Sequence, residues 1–370
     1  MTSARLRTVL HLRASSGWAG PERHLWELAP GLATAGYRLR PVLLTRQPVT
    51  AFERLAELDP LRVPDRFDAA LDAACEALAP ALVHSHGYKA NHWALRLARR
   101  HRIPAVATYH LHTRSSWRLV LHAHRDRRRL ARFDAVVDIA DRGQQDPALA
   151  RVTRGRLHRA VNGFDGARFS AGRRPGRDLL RELGLPADEP RIVGIGRLSR
   201  QKGFSTLIAA IARLAPGVQL LLAGEGPRRR ALGRQAERLG VAERVHFLGH
   251  RRDVADLLTI ATVVALPSRQ EGLPYAALEA MALGRPLVTT PVGGLPRLLD
   301  HGRCGRLVPP DDVEALTHAL EALLDSPAER RHLASRAQQR VEEHYSASAM
   351  ARAVAEVYDR LLAGGAGGAS

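Results

Sequence analysis

Short apolar runs alternate with longer amphipathic stretches along most of the chain. LRTVLHL (6–12), RPVLLT (40–45), ALVHSH (81–86), PAVATYH (104–110) and DAVVDIA (134–140) have strand length and turn residues at their ends. Between them lie helical patterns such as RHLWELAPGLATAGY and ANHWALRLARRH, and a basic helix near 115–132. The rhythm fades over 166–190 (GARFSAGRRPGRDLLRELGLPADEP), where Gly, Pro and charge replace apolar periodicity. It restarts with RIVGIGRL, VQLLLAGEG, VHFLGH, VVALPS, PLVTTPV and RLVP, each followed or separated by helical segments. Two helices near 311–345 and a last one, ASAMARAVAEVYDRLLA, follow, and the tail GGAGGAS reads as disordered. Strands separated by helices predict βαβ units and parallel sheets, hence an α/β fold with two such domains and ligands at strand carboxyl ends. The expected division is 1–170, a linker 171–190, a second domain 191–345, a C-terminal helix 346–363 packing back on the first domain, and a tail 364–370.

The length of 370 residues suits two domains better than one core. Two cysteines, Cys75 and Cys304, make no disulfide framework or C-x-x-C site, which favours a reducing, cytoplasmic setting. No apolar run approaches the length of a membrane span, and the N-terminal apolar stretch is too short for a signal peptide. The formal net charge of +19 is uneven. Residues 1–175 hold 30 basic and 15 acidic side chains, against 26 and 22 in 176–370, so the first half carries +15 and the second +4. Such a field attracts phosphate, anionic lipid or nucleic acid.

The chemistry is narrowed first by what is missing. There is no P-loop and no G-x-S-x-G elbow, and GIGRLS has too few glycines for a dinucleotide fingerprint. No D-x-D pair offers a divalent cation a place beside a diphosphate. A bound diphosphate would have to be met by side chains and helix N-termini. Arg197, Lys202 and Gly203 stand between a strand and a helix, where a guanidinium fork and an ammonium suit phosphate; an ordinary basic loop reads the same way. Glu271 precedes Gly272-Leu273-Pro274 at the mouth of the next helix, and Glu279 follows two turns along. A carboxylate at each place suits an extended ligand with two sets of hydroxyls, and a sugar nucleotide has that shape.

GRLSRQKG, AGEGP, HFLGH, LPSRQEGLPYAALEAMALGRPLVTTPVGG and GRLVPPDD, in that order, resemble the nucleotide-binding half of the retaining GT-B glycosyltransferases of family 4. AGPERHLWELAPGLATAGY, VHSHG, ATYH and VNGFDGARF resemble the same family's first half, so the likeness covers essentially the whole chain. It implies two Rossmann-like domains facing each other across a cleft, and transfer of a sugar from a nucleotide diphosphate to an acceptor hydroxyl with retention and without metal. Arg197 and Lys202 would bind the donor diphosphate and Glu271 the donor sugar. The Gly272, Leu273 and Pro274 amides would meet sugar or phosphate, Glu279 the ribose, and Leu248, Gly249 and His250 the base. Gly17 and Gly20 would let the first domain approach the reacting centre, with His110 beside the sugar. His84 and His86 match a loose V-H-x-H strand end; packing and acceptor contact both remain open, and His86 is carried as an acceptor-side residue with Gly17, Gly20 and His110. Asn162, Gly163 and Asp165 read as turn formers closing the first domain.

Three positions depart from the family pattern: Ala19 where a glycine is usual, Ala140 for a serine, and Arg297 for a glutamate. None removes an implied catalytic group. RSSWRLVLHAHRDRRRLAR (Arg114–Arg132) carries seven arginines and one aspartate among apolar residues, so it could lie on an anionic membrane or form a solvated face. A lipid-linked or phosphorylated acceptor fits it, in a peripheral enzyme at the inner membrane face. A sugar-nucleotide epimerase and a non-catalytic sugar-nucleotide sensor are the alternatives. A nucleic-acid partner is not expected, given few aromatics and no binding motif.

Overall fold

The computed structural model describes residues 6–15, 18, 20–63, 67–109, 126–140 and 147–365. They form two compact units, Met1–Gly163 with Tyr345–Ser370, and Phe164–His344.

In the first unit the order is β1 (Arg7–Arg13), α1 (Gly20–Thr34), β2 (Tyr37–Leu44), β3 (Leu61–Val63), α2 (Phe67–Leu78), β4 (Leu82–His86), α3 (Tyr88–His101), β5 (Ala105–Tyr109), β6 (Ala135–Asp138), α4 (Pro147–Thr153) and β7 (Leu157–Arg159). All described pairings are parallel, in the sheet order β3-β2-β1-β4-β5-β6-β7. The β4, β5 and β6 strands are buried along their whole length, as expected for a parallel sheet covered on both faces.

The second unit contains α5 (Gly166–Ser170), α6 (Gly176–Leu183), β8 (Arg191–Ile195), α7 (Phe204–Ile211), β9 (Gln219–Ala223), α8 (Arg229–Arg238), β10 (Val245–Gly249), α9 (Val254–Thr259), β11 (Val263–Leu266), α10 (Tyr275–Ala282), β12 (Leu287–Thr289), α11 (Leu295–Leu298), β13 (Arg306–Leu307), α12 (Val313–Asp325) and α13 (Pro327–His344). Its parallel sheet runs β10-β9-β8-β11-β12-β13. Both sheets therefore reverse direction of strand addition once, between β1 and β4 and between β8 and β11. The two expected parallel sheets are present.

The division of the chain differs from the expected one. The stretch 171–190 is not a linker: it lies within the second unit, and α6 buries Leu179 completely. Arg174 ties it down through its backbone N–H to Asp256 (3.0 Å) and its guanidinium to Asp256 (2.8 Å) and Asp253 (2.7 Å). Glycine, proline and charge here mark helix ends: Pro175 precedes α6, and Gly184 ends it in the left-handed region.

The last helix, α14 (Ala347–Gly365), belongs to the first unit. Met350, Ala351, Val354, Val357 and Tyr358 share an apolar cluster with Leu25, Leu28 and Leu32 of α1. Each buried Val, Leu or Met among them contributes roughly 1.5–3 kcal/mol. The helices approach so closely that a Cβ on Gly31 would overlap that of Ala351. The chain leaves and re-enters this unit at one spot, where Gly163 packs on the Ser346 carbonyl and its N–H reaches Met350 Sδ at 3.2 Å. Gly364 and Gly365 still fall within the helix, and the rest of the tail, 366–370, lies outside the described residues.

Candidate functional site

The carboxyl ends of the second sheet converge at its reversal point. Two loops meet there: 196–203 after β8 and 267–274 after β11. Gly203 has φ +69°, and a Cβ on it would overlap the Pro267 carbonyl oxygen, so only glycine lets the loops touch. Arg269 N–H donates to Gln201 O (2.7 Å), and the Gln201 side-chain amide donates to Gln270 O (2.8 Å). Across this seam Lys202 Nζ donates to Glu271 Oε1 at 2.6 Å, and Ser268 Oγ donates to the same oxygen at 2.7 Å. Glu271 is 7% exposed, so its charge is paired and hydrogen-bonded as a buried carboxylate must be. Arg197, exposed at the end of β8, has no side-chain partner among the described residues.

The neighbouring strand ends complete the arrangement. After β12, Gly293 at φ +63° lies against the Glu271 and Gly272 carbonyls, and Gly294 N–H donates to Gly272 O at 2.8 Å. On the other side, Gly224 N–H donates to Gly249 O at 2.7 Å, which joins the ends of β9 and β10. Leu248, Gly249 and His250 therefore sit two strands from β8, roughly 10 Å across the sheet edge. Glu279 is the fifth residue of α10 and is buried. Arg197, Lys202, Glu271, Gly272 and Leu273 thus belong to two abutting loops, with Glu279 along the following helix. Pro274 requires a correction: as N-cap of α10 it has no N–H, so it shapes the turn but donates nothing. Sequence reading missed Ser268, Gly293 and Gly294. The Gly-Gly dipeptide after an apolar strand was the available signal for the last two.

The first unit's reversal point is built differently. Arg13, at the end of β1, pairs with buried Glu22 of α1 at 2.7 Å and donates to His86 O at 3.2 Å. Behind it His11 and His84 face each other in the β1–β4 register. His84 Nε2 and Thr108 Oγ1 are 2.8 Å apart, His84 Nδ1 and Tyr358 OH 2.6 Å, Tyr358 OH and His11 Nε2 3.3 Å, and His11 Nδ1 and His86 Nε2 2.9 Å. All three histidines are 0% exposed. With each ring neutral the donors and acceptors alternate along this chain in either direction, so every link is satisfied without an ion. Their nitrogens are close enough to consider a metal, with one ligand atom of each within 4.8 Å of the others. Burial holds His11 well below its usual pKa, reinforced by His24, and lowers His24 to about 4 against its hydrogen bond to Asn162. Burial likewise raises the Tyr358 phenol.

His86 is thus corrected from acceptor side to core: an imidazole inside the polar core cannot reach an acceptor unless the core opens. Asn162 anchors His24 at 3.0 Å and Asp165 caps α5, both turn and packing roles. Gly20 is the exposed first residue of α1, where a Cβ would meet nothing within 4 Å. Gly17, His110 and residues 114–125 of the basic stretch lie outside the described residues. At its described end Asp126 and Leu130 turn inward while Arg128 and Arg132 are exposed. No helix among the described residues is long and apolar enough to cross a membrane.

Comparison with known proteins follows the two units. The family described as Glycosyltransferase Family 4 matches residues 18–168, and Glycosyl transferases group 1 matches 177–340. The glycogen synthase of Mycobacterium tuberculosis is 33% identical over 298 residues, 75% of this chain and 68% of that protein. The alpha-maltose-1-phosphate synthase of Mycolicibacterium smegmatis is 30% identical over 325 residues, 80% of this chain and 83% of that one. Among solved structures, sucrose-phosphate synthase from Thermosynechococcus elongatus has a TM-score of 0.81 at 24% identity, covering 97% of this chain and 100% of its own. Anabaena HepE in complex with UDP-glucose has a TM-score of 0.83 at 22% identity, covering 95% and 99%.

Proposed function

The chain belongs to the glycosyl transferases group 1, the GT-B glycosyltransferases of family 4 that use nucleotide sugars, and from that premise we propose how its second unit works. Arg197 and Lys202 bind the donor diphosphate, Glu271 the sugar hydroxyls and Glu279 the ribose. The observation that carries this reading is the Lys202–Glu271 pair at the β8/β11 reversal point, with unpartnered Arg197 beside it. Lys202 pairs its charge with Glu271. An arriving diphosphate takes over the ammonium and frees the carboxylate to accept from sugar hydroxyls, so one exchange of partners prepares both ends of the scissile bond.

Transfer then proceeds with retention and without metal. Arg197 and Lys202 stabilise the charge that develops on the leaving diphosphate, which helps take the acceptor's proton. Glu271 orients the sugar and stabilises positive charge at the anomeric carbon. Gly272 and Leu273 amides lie next to it, and Leu248, Gly249 and His250 meet the base. The acceptor is lipid-linked or phosphorylated, which suits the basic first half, with Gly17, Gly20 and His110 on its side. UDP-glucose, seen with HepE, is the first donor to try.

The test combines a nucleotide-sugar panel, candidate phosphorylated and lipid-linked acceptors, and excess EDTA. Nucleoside diphosphate release only with acceptor, and a product whose anomeric NMR coupling matches the donor, is the expected result. Release without acceptor, isomerisation of the donor sugar, or loss of turnover in EDTA would each overturn part of the reading.

A further inference from the structure

A cavity of about 520 Å³ opens at the opposite edge of the second sheet, between α6 and α13. Arg191, Thr262 and Pro286 stand at or just before the amino ends of β8, β11 and β12 and line it. The strands are about five residues long, so this edge is roughly 15 Å from the carboxyl ends that carry Lys202 and Glu271. Five arginines line the cavity: Arg177, Arg191, Arg285, Arg330 and Arg331, with no carboxylate among the described lining residues.

Several arginines elsewhere in the same unit meet carboxylates. Arg174 binds Asp253, Asp256 and Glu182, Arg251 binds Asp253 and Glu182, and Arg269 binds Asp311. Three of the cavity arginines are instead held by backbone carbonyls, as Arg244 is outside the cavity. Arg191 reaches Ile260 O and Glu189 O, Arg285 reaches Ala261 O and Leu283 O, and Arg330 reaches Leu323 O and Leu324 O. Carbonyls fix a guanidinium in place without cancelling its charge. The nearest carboxylate contact in the group is Arg177 to Asp178, a long 3.9 Å, and Asp178 also faces Arg181. Burial lowers the pKa of Arg285, and the Arg173 guanidinium pushes the same way. Burial also lowers that of Arg191, opposed by Glu189 and Asp188. Like charges are therefore gathered at a partly desolvated spot with donors to spare. Among the described residues, Arg285 Nη2, Arg330 Nε and Nη2, and the Arg331 guanidinium have no protein acceptor.

We infer that this cavity is a second anion site, separate from the donor site, for a soluble phosphorylated small molecule with two or more negative charges. The volume falls within the usual range for small-molecule sites and exceeds what one phosphate group fills. Leu180, Ile260 and Ala334 give the non-phosphate part of such a molecule an apolar wall. Guanidinium forks supply the phosphate contacts.

The experiment is calorimetric titration of the full chain with inorganic pyrophosphate at fixed ionic strength. Arg177→Gln combined with Arg331→Gln is the main variant, because both side chains are exposed and hold no core contact. Arg285→Gln is the second variant, and Lys202→Ala separates the donor site. The expected result is two binding events in the parent, one of them weakened about tenfold or more in the double variant and retained in Lys202→Ala. A single event abolished by Lys202→Ala and untouched by the double variant would overturn the inference, as would no binding at all. The donor-site reading fails separately, if nucleotide sugars bind the Lys202→Ala variant as well as the parent.

Discussion

The two sheets reverse at equivalent places and use them in opposite ways. At β1/β4 the polar groups face inward and satisfy one another: Thr108, His84, Tyr358, His11 and His86 form an unbroken hydrogen-bonded chain with 0% exposure at the histidines. At β8/β11 the loops meet at a glycine and carry unlike charges, Lys202 against Glu271, with Arg197 left exposed. A doubly wound topology therefore offers a crevice without dictating its use. Side chains that complete each other make a strut, and side chains that leave charge over make a site.

That contrast can be broken at several points. The largest effect is expected from Lys202→Ala, which should cut turnover by about 10²–10³ because the lost ammonium acts on developing charge, and should also lower the melting temperature because buried Glu271 loses its charge partner. A loss of stability with turnover unchanged would mark Lys202 as a strut instead. Gly203→Ala should cost about 2–4 kcal/mol in denaturant unfolding, from a left-handed backbone and overlap with the Pro267 carbonyl.

The buried histidines of the first unit, His24 beside this chain and His11 within it, predict a pH effect of similar size. His24 drops from 6.5 to about 4 on folding, so between those values the unfolded chain holds the extra proton. Its contribution is complete above pH 6.5 and falls on acidification, by roughly 3 kcal/mol at pH 4 at about 1.4 kcal/mol per unit. His11 shifts in the same direction. Unfolding free energies of the parent and His24→Gln across that window check it, since the variant should lose part of the slope. The smallest stability effect belongs to Gly20→Ala, within about 0.5 kcal/mol because the added methyl meets nothing. A drop in turnover at unchanged stability would then report close approach of a substrate to that helix start.

The strand and helix rhythm was legible because parallel strands buried on both faces read as continuous apolar runs, as in PAVATYH and VVALPS. The division of the chain was not, because α6 is short and flanked by residues that also make linkers; its packing shows in Leu179 and the Arg174–Asp256 bond, which depend on the fold. Glu271 and Lys202 were each recognisable from the loops they occupy, but their contact spans 69 positions and depends on which strands become neighbours. The same holds for His11, an unremarkable strand histidine until the β1–β4 register sets it opposite His84. His86 shows the converse: a strand-end histidine looked available, and the fold turned it inward. The cavity arginines were lost in a sequence with 56 basic residues, because composition does not say which of them meet carboxylates.

The central claim is that the β8/β11 reversal point holds the donor diphosphate through Lys202 once Glu271 releases it. Calorimetric titration of a panel of nucleotide sugars into the parent and Lys202→Ala tests it directly. The account predicts that at least one donor binds the parent and binds the variant about tenfold or more weakly. Equal affinity in both, or no binding by any donor, would contradict it.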